Sequence, residues 1–209
     1  MRKIKLFLVV ACVAMLAACN KKPVETEKEM KYENETIATI MERRSIRKYK
    51  PETVARETLE KIMECGINAP NGQNKQSWEV RVVDNPEVMA EINAVIAEAY
   101  GEKAEMAVGC FRGAPVMVFI ARDLAYDFSA YDCGLLAENI MLSAQSLGVG
   151  SICLGSPVRI INDNEACAPV LERLGFSEGY EFCLCVGLGY ADEAPEAKPR
   201  MKEKVKFVE

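Results

Sequence analysis

Arg43-Arg44-Ser45-Ile46-Arg47 and Lys198-Pro199-Arg200 are two basic clusters near opposite ends of the chain. Each alone reads as a solvated charged face. Brought together they form an anion site, because guanidinium groups engage phosphate through paired hydrogen bonds and lysine adds a point charge. Between them in the sequence lies Ala69-Pro70-Asn71-Gly72-Gln73-Asn74-Lys75-Gln76-Ser77-Trp78, a segment crowded with side-chain amides that both donate and accept. Amides suit the polar edge of a heterocycle. The three segments together point to a phosphorylated planar ligand whose ring edge meets Asn71, Asn74 and Gln76. The alternative for the middle segment is a hydrogen-bonded turn.

The chain contains no histidine. The usual general base, the triad base and the commonest transition-metal ligand are therefore missing together, which makes zinc hydrolases and Ser-His-Asp enzymes improbable. Chemistry is left to carboxylates, cysteine, lysine, tyrosine or a bound organic cofactor. A net charge of -5 offers nucleic acid no overall electrostatic footprint, so any basic site is local.

The elements that would position these groups follow from periodicity. Asn34-Glu35-Thr36 can cap a short helix through Met41. Glu57–Asn68 places Leu59, Ile62, Met63 and Ile67 on one stripe, and Ala69-Pro70-Asn71-Gly72 breaks that helix. Trp78–Val83 alternates like a half-buried strand, and Pro86 opens a third helix that ends around Tyr100-Gly101, with a further short helix over Glu102–Cys110. The apolar run Ala114–Ala121 is predicted as a central strand with both faces covered. From Tyr126 to Leu147 the spacing predicts a long helix buried nearly all round. Ala130, Gly134, Ala137 and Ala144 along one stripe of it permit close approach of another helix, from the same chain or a partner. Gly148–Leu154 fits a strand, Glu165–Leu174 a helix and Tyr180–Gly187 the last core strand, followed by an extended Ala194–Lys202 and Val205–Val208. Strands interleaved with helices indicate a layered α+β fold.

Met1–Ala18 reads as a secretory signal, with Arg2, Lys3 and Lys5 ahead of the apolar run Leu6–Ala18. That run is shorter than the ~18–20 residues a membrane span needs. Leu16-Ala17-Ala18-Cys19 resembles the bacterial lipobox, which implies lipidation at Cys19; a plain signal peptide or an uncleaved anchor is the alternative. Residues 19–33 would then be the lipidated cysteine and a polar tether, with the folded domain over 34–209. The implied location is the cell envelope, attached to a membrane through the lipid alone and facing the periplasm. Cys65, Cys110, Cys133, Cys153, Cys167, Cys183 and Cys185 remain, with no CxxC pair among them, and read as buried thiols rather than a metal site.

The motifs, taken in order, resemble the nitroreductase family. That family opens on a basic pair, a serine and another basic residue, matched by Arg43-Arg44-Ser45-Ile46-Arg47. It continues with a segment matched by Ala69–Trp78, a Leu-Gly-x-Gly strand matched by Leu147–Gly155, and a closing Gly189-Tyr190…Lys198-Pro199-Arg200. The resemblance implies a three-layer fold with a central mixed sheet flanked by helices, a long buried central helix, and a homodimer holding FMN at its interface. By the same resemblance Arg43, Arg44, Ser45 and Arg47 grip the FMN phosphate and ring, and Lys198 and Arg200 join at the phosphate. Pro70, Asn71, Gly72, Asn74 and Gln76 reach the flavin from the second subunit. Cys153, Leu154 and Gly155 lie along its face, with Cys153 near the ring as packing.

The implied activity is a ping-pong oxidoreduction from NAD(P)H or another carrier to a small oxidant such as a nitroaromatic or quinone, with the flavin carrying the chemistry and no catalytic side chain required. A flavin-binding or cofactor-handling lipoprotein without turnover is the alternative. Two departures from the family pattern stand out. Asn71-Gly72 replaces the two serines of many members, and the stretch before the apolar strand is too short for a large lid.

Overall fold

The structure is a computed structural model that describes residues 31–209. The signal expected over 1–18, Cys19 and the expected tether up to residue 30 lie outside the described residues. The folded body runs Glu35–Glu209. Among the described residues no helix is long and apolar enough to cross a membrane.

Helix α1 (Glu35–Glu42) leads into the basic cluster, and α2 (Arg56–Ile67) precedes strand β1 (Trp78–Val83). Asn85 caps α3 (Pro86–Tyr100) by accepting from the amides of Glu87 and Val88, and Pro86 sits in the first turn, where its missing N–H costs nothing. A short α4 (Ala104–Val108) precedes β2 (Val116–Asp123), and the long α5 (Ser129–Ser146) connects to β3 (Gly150–Leu154). Helices α6 (Ser156–Asn162) and α7 (Ala168–Leu174) lead to β4 (Tyr180–Gly189). Helix α6 was not legible from periodicity: with seven residues and Pro157 in its first turn, it carries too few periodic positions to register. The helix expected over Glu165–Leu174 is a 3₁₀ turn, Glu165–Cys167, followed by α7.

The four-stranded sheet has the order β1-β2-β4-β3, and each neighbouring pair is antiparallel. The mixed sheet implied by the resemblance is corrected on this point. Two helices separate β1 from β2 and likewise β3 from β4, so the chain returns to the end it left before re-entering the sheet. One isolated parallel bridge, Ser45 to Ser151, adds the basic segment beside β3.

Alternation along β2 divides the core. Met117 and Phe119 face the layer of α3, α6 and α7, whereas Val116, Val118 and Ile120 face α2 and α5. In β4, Phe182 and Cys185 share a face although three positions apart. The register slips between Ile120 and Ala121, and Cys183 is the extra residue of that bulge.

Burial of α5 in the single chain is one-sided. Leu136, Ala137, Ile140 and Ala144 are inside, while Tyr131 is 70% and Leu135 45% exposed, because α2 covers only one flank. The small-residue stripe is likewise split, with Ala137 and Ala144 buried but Ala130 and Gly134 open. Close approach between α2 and α5 is made instead at Gly66, where a Cβ would stand 2.6 Å from Ile140.

The thiols of the described residues are free, and burial in the core favours the protonated form of several of them. Burial pushes Cys110 from its ordinary 9.0 up to about 12, and raises Cys185, whose Sγ donates to the Leu154 carbonyl at 3.5 Å. A thiol raised on folding stabilises the native state fully below its unfolded value and ceases to do so as pH climbs toward the folded one. The expected outcome is an unfolding free energy that falls above pH 9, by roughly 1 kcal/mol per pH unit for each such thiol. Urea melts at pH 8 and pH 10.5, for the native chain and Cys110→Ala, check this: the drop must be smaller in the variant.

Candidate functional site

The basic cluster begins where α1 ends. Arg44 turns back so that its Nη1 donates to the carbonyls of Met41 and Arg43, each at 2.8 Å, which satisfies orphan acceptors at a helix C-terminus. The chain then runs beside β3, with the Ile46 amide donating to the Ser151 carbonyl at 3.0 Å. Glu193, which sequence reasoning missed, accepts from the amides of Arg47 and Lys48, and the backbone amide of Asp192 donates to the Lys48 carbonyl at 2.9 Å. These contacts fold the segment after β4 back onto the segment after α1. No local pattern marks Glu193, since its partners are backbone groups far away in the sequence.

The consequence is a cleft of about 170 Å³ lined by Arg43, Arg44, Ser45, Arg47, Pro195, Glu196, Lys198 and Arg200. The two basic clusters therefore meet. Among the described residues none of these cationic side chains forms an ion pair; the pairs present, such as Arg56 with Asp84 and Arg122 with Glu181, lie elsewhere. A neighbouring cavity of about 390 Å³ shares Arg44 and Pro195 and is walled by Glu42, Ile46, Gln145 and Gly148–Gly150.

Two buried polar atoms lack hydrogen-bond partners among the described residues: Nη1 of Arg43, which lines the cleft, and Oγ of Ser151, which lines neither cavity but lies on the strand beside Ser45. Ser151 is 1% exposed and is bridged to Ser45. Leaving such groups unsatisfied costs about 1–3 kcal/mol each, so their natural complement is a ligand rich in acceptors. The set fits a phosphorylated heterocycle such as FMN: unpaired cations for a phosphate, buried donors for ring acceptors.

Cys153 and Gly155 are exposed at the end of β3, whereas Leu154 is buried in the core and offers only its backbone. Cys153 senses both Arg43 and Glu138. Desolvation first and Glu138 second push its thiol up against the opposing pull of Arg43, so it is not activated as a nucleophile.

The amide-rich segment lies apart from this cleft. Neither cavity around the basic residues is lined by Pro70, Asn71, Gly72, Asn74 or Gln76. Pro70, Asn74 and Gln76 are exposed, and Asn71 turns inward to accept from the Gln76 amide at 2.9 Å. Gln73, Asn74 and Gln76 all adopt positive φ, at 53°, 54° and 49°. Left-handed backbone costs non-glycine residues about 1–2 kcal/mol each, so something must hold the loop. Asp132 on α5 does so: its carboxylate accepts from the Gly72 amide at 3.0 Å and from Ser77 Oγ at 2.7 Å. Tyr126 packs so closely that a Cβ on Gly72 would meet its hydroxyl at 2.1 Å, and Lys75 lies over the Tyr126 ring at 4.7 Å. Asp132 was also missed in the sequence, where it reads as one polar residue on an apolar helix.

Comparison with known proteins agrees with this geometry. The nitroreductase family model matches residues 40–190. An NADPH-flavin oxidoreductase of Vibrio harveyi is 31% identical over 183 residues, covering 82% of this chain and 72% of that protein. The crystal structure of a nitroreductase with bound FMN from Desulfitobacterium hafniense superposes with a TM-score of 0.75 at 35% identity, covering 85% of this chain and 100% of the other. A Bacteroides fragilis nitroreductase with bound FMN gives a TM-score of 0.75 at 27% identity, covering 84% and 100%. A three-layer fold around an antiparallel sheet, a basic cleft assembled from both ends of the sequence and a family match across most of the folded body lead to one conclusion: the chain belongs to the nitroreductase family.

Proposed function

We propose that this protein is an FMN-dependent oxidoreductase that passes electrons from NAD(P)H or another reduced carrier to a small oxidant such as a nitroaromatic or quinone. The observation that carries the reading is the convergence of Arg43, Ser45, Lys198 and Arg200 on one cleft, with Arg43 Nη1 buried and unpaired in its wall. When bound, FMN supplies the redox chemistry. The protein's share is to hold and polarise. Lys198 and Arg200 would neutralise the phosphate, Arg43 and Ser151 would donate to the ring, and the end of β3 would leave a face open for donor and acceptor in turn. Nothing in this division of labour requires a histidine.

The working unit in this reading is a homodimer. A cleft of about 170 Å³ is smaller than the roughly 300–1,000 Å³ of pockets that enclose a ligand of this size. Phe128, Tyr131 and Leu135 form an exposed apolar stripe at helical spacing, as expected of a face that a partner covers. The loop over 70–77 of the second chain would then close over the ring. The reading extends to a lipid anchor on Cys19 at the cell envelope, where nicotinamide donors are scarce and a membrane-associated donor would take their place.

The test is one preparation followed three ways. The purified chain should carry a yellow flavin spectrum, run as a dimer by light scattering, and bleach in anaerobic stopped flow on mixing with NADH or NADPH. A colourless protein after refolding with FMN sinks the proposal. Yellow protein that no donor bleaches would be a flavin holder without turnover, and a monomer that retains flavin would remove the partner's role. Cys19→Ala should abolish membrane fractionation of the full chain; unchanged fractionation refutes the anchor.

A further inference from the structure

We propose that Asp132 is a positioning residue for the flavin ring: from the central helix it holds the 70–77 loop in the one shape that presents its polar groups to the isoalloxazine edge. The inference rests on the function proposed above and concerns a residue outside the basic cleft.

Asp132 is 3% exposed, and among the described residues it has no cationic partner. Its charge is compensated by hydrogen-bond donors, and the two donors the structure provides belong to the loop. Oδ1 takes the amide of Gly72 at 3.0 Å and Oδ2 takes the hydroxyl of Ser77 at 2.7 Å, so one carboxylate clamps both ends of the stretch 72–77. Charge-assisted bonds of this kind are the stronger class. The strained residues Gln73, Asn74 and Gln76 lie between the clamped ends. Beyond Ser77 the loop is fixed to the sheet, where the Asp123 amide donates to the Ser77 carbonyl at 3.0 Å. The Asn71 side chain ties back to Gln76 from within.

The arrangement separates holding from reading. Asp132 and Ser77 are buried and face inward, whereas Asn74 and Gln76 are exposed and stand free to meet a ligand. Neither hydrophobic core includes any residue of 70–77. Removing the carboxylate therefore releases the loop and spares the packing.

The experiment measures FMN and riboflavin affinity by fluorescence titration for the native chain, Asp132→Ala, Asp132→Asn and Ser77→Ala, with a thermal melt of each without flavin. Loss of the clamp should weaken FMN and riboflavin by the same factor, about tenfold in Asp132→Ala, because the phosphate end is untouched. The bound flavin's absorption bands should shift toward those of free flavin. Asp132→Asn should recover most of the affinity, since its carbonyl still accepts from Gly72 and its amide can donate to Ser77. Should Asp132→Ala fail to fold, Ser77→Ala carries the test with an expected loss of about threefold. Native affinity and native bands in the folded variants overturn the inference. A native chain that binds no flavin overturns instead the function on which it rests, and affinity lost only in step with a collapsed melt shows a purely structural role.

Discussion

Lys198→Ala combined with Arg200→Ala is expected to weaken FMN binding by about 100-fold and to leave riboflavin binding within about twofold of native. Both side chains reach the cleft on the segment folded back by Asp192 and Glu193, and both are exposed before a ligand arrives. Hydrogen bonds to charged groups contribute about 1.5–3 kcal/mol each, and solvent screening argues for the low end here. Two such contacts come to roughly 3 kcal/mol, which is a factor on the order of 100 in the dissociation constant. Riboflavin differs from FMN only in lacking the phosphate, so it isolates the group these residues are proposed to meet. The native protein should also lose FMN affinity with rising ionic strength more steeply than riboflavin affinity. Fluorescence titration in low and high salt measures both. If the two flavins weaken together, Lys198 and Arg200 do not meet the phosphate, and the proposed orientation of the cofactor is wrong.

Phe119→Ala should destabilise the fold by about 3–5 kcal/mol, a large part of the roughly 5–15 kcal/mol typical of a domain. Phe119 has no exposed surface and stands at the middle of β2, paired on both sides. Its ring meets Phe111 edge-on, with centroids 6.0 Å apart at 74°, and Phe182 at 5.6 Å. Truncation would leave a cavity that these two neighbours, anchored on other elements, cannot both fill. Phe207, 94% exposed, supplies the contrast, and its alanine variant should be neutral. Urea unfolding of both variants decides the matter, with equal midpoints refuting the account. Added FMN should recover part of the loss, because a ligand that binds only the native state stabilises it by mass action.

The residues that could do chemistry were legible early because their types are restrictive. A chain without histidine excludes whole mechanisms, and arginine pairs beside a serine have few uses as regular as holding an anion. The strong periodicities were legible as well: Trp78–Val83 and Pro86–Tyr100 are a strand and a helix with those very ends, since alternation, an Asn cap and a first-turn proline all act within a few residues. Two features were not legible, helix α6 and the bulge in β4. Helix α6 has too few turns for a period to show, and the bulge at Cys183 reverses the alternation of β4 in a way that only its pairing with β2 reveals.

Sequence alone determined which side chains are available and which stretches are apolar on one face, because both are properties of neighbours along the chain. Tertiary structure decided what those side chains do. It folded Lys198 and Arg200 back onto Arg43 through backbone contacts to Glu193, and it left the Asn71–Gln76 loop outside the cleft of its own chain. It also gave Asp132 its role, since a carboxylate on an apolar helix acquires meaning only from the Gly72 amide and Ser77 hydroxyl brought within 3.0 Å and 2.7 Å of it. Those partners are distant in sequence, and hydrogen bonds between distant backbone and buried side chains leave no period or composition for a reader of the chain to find.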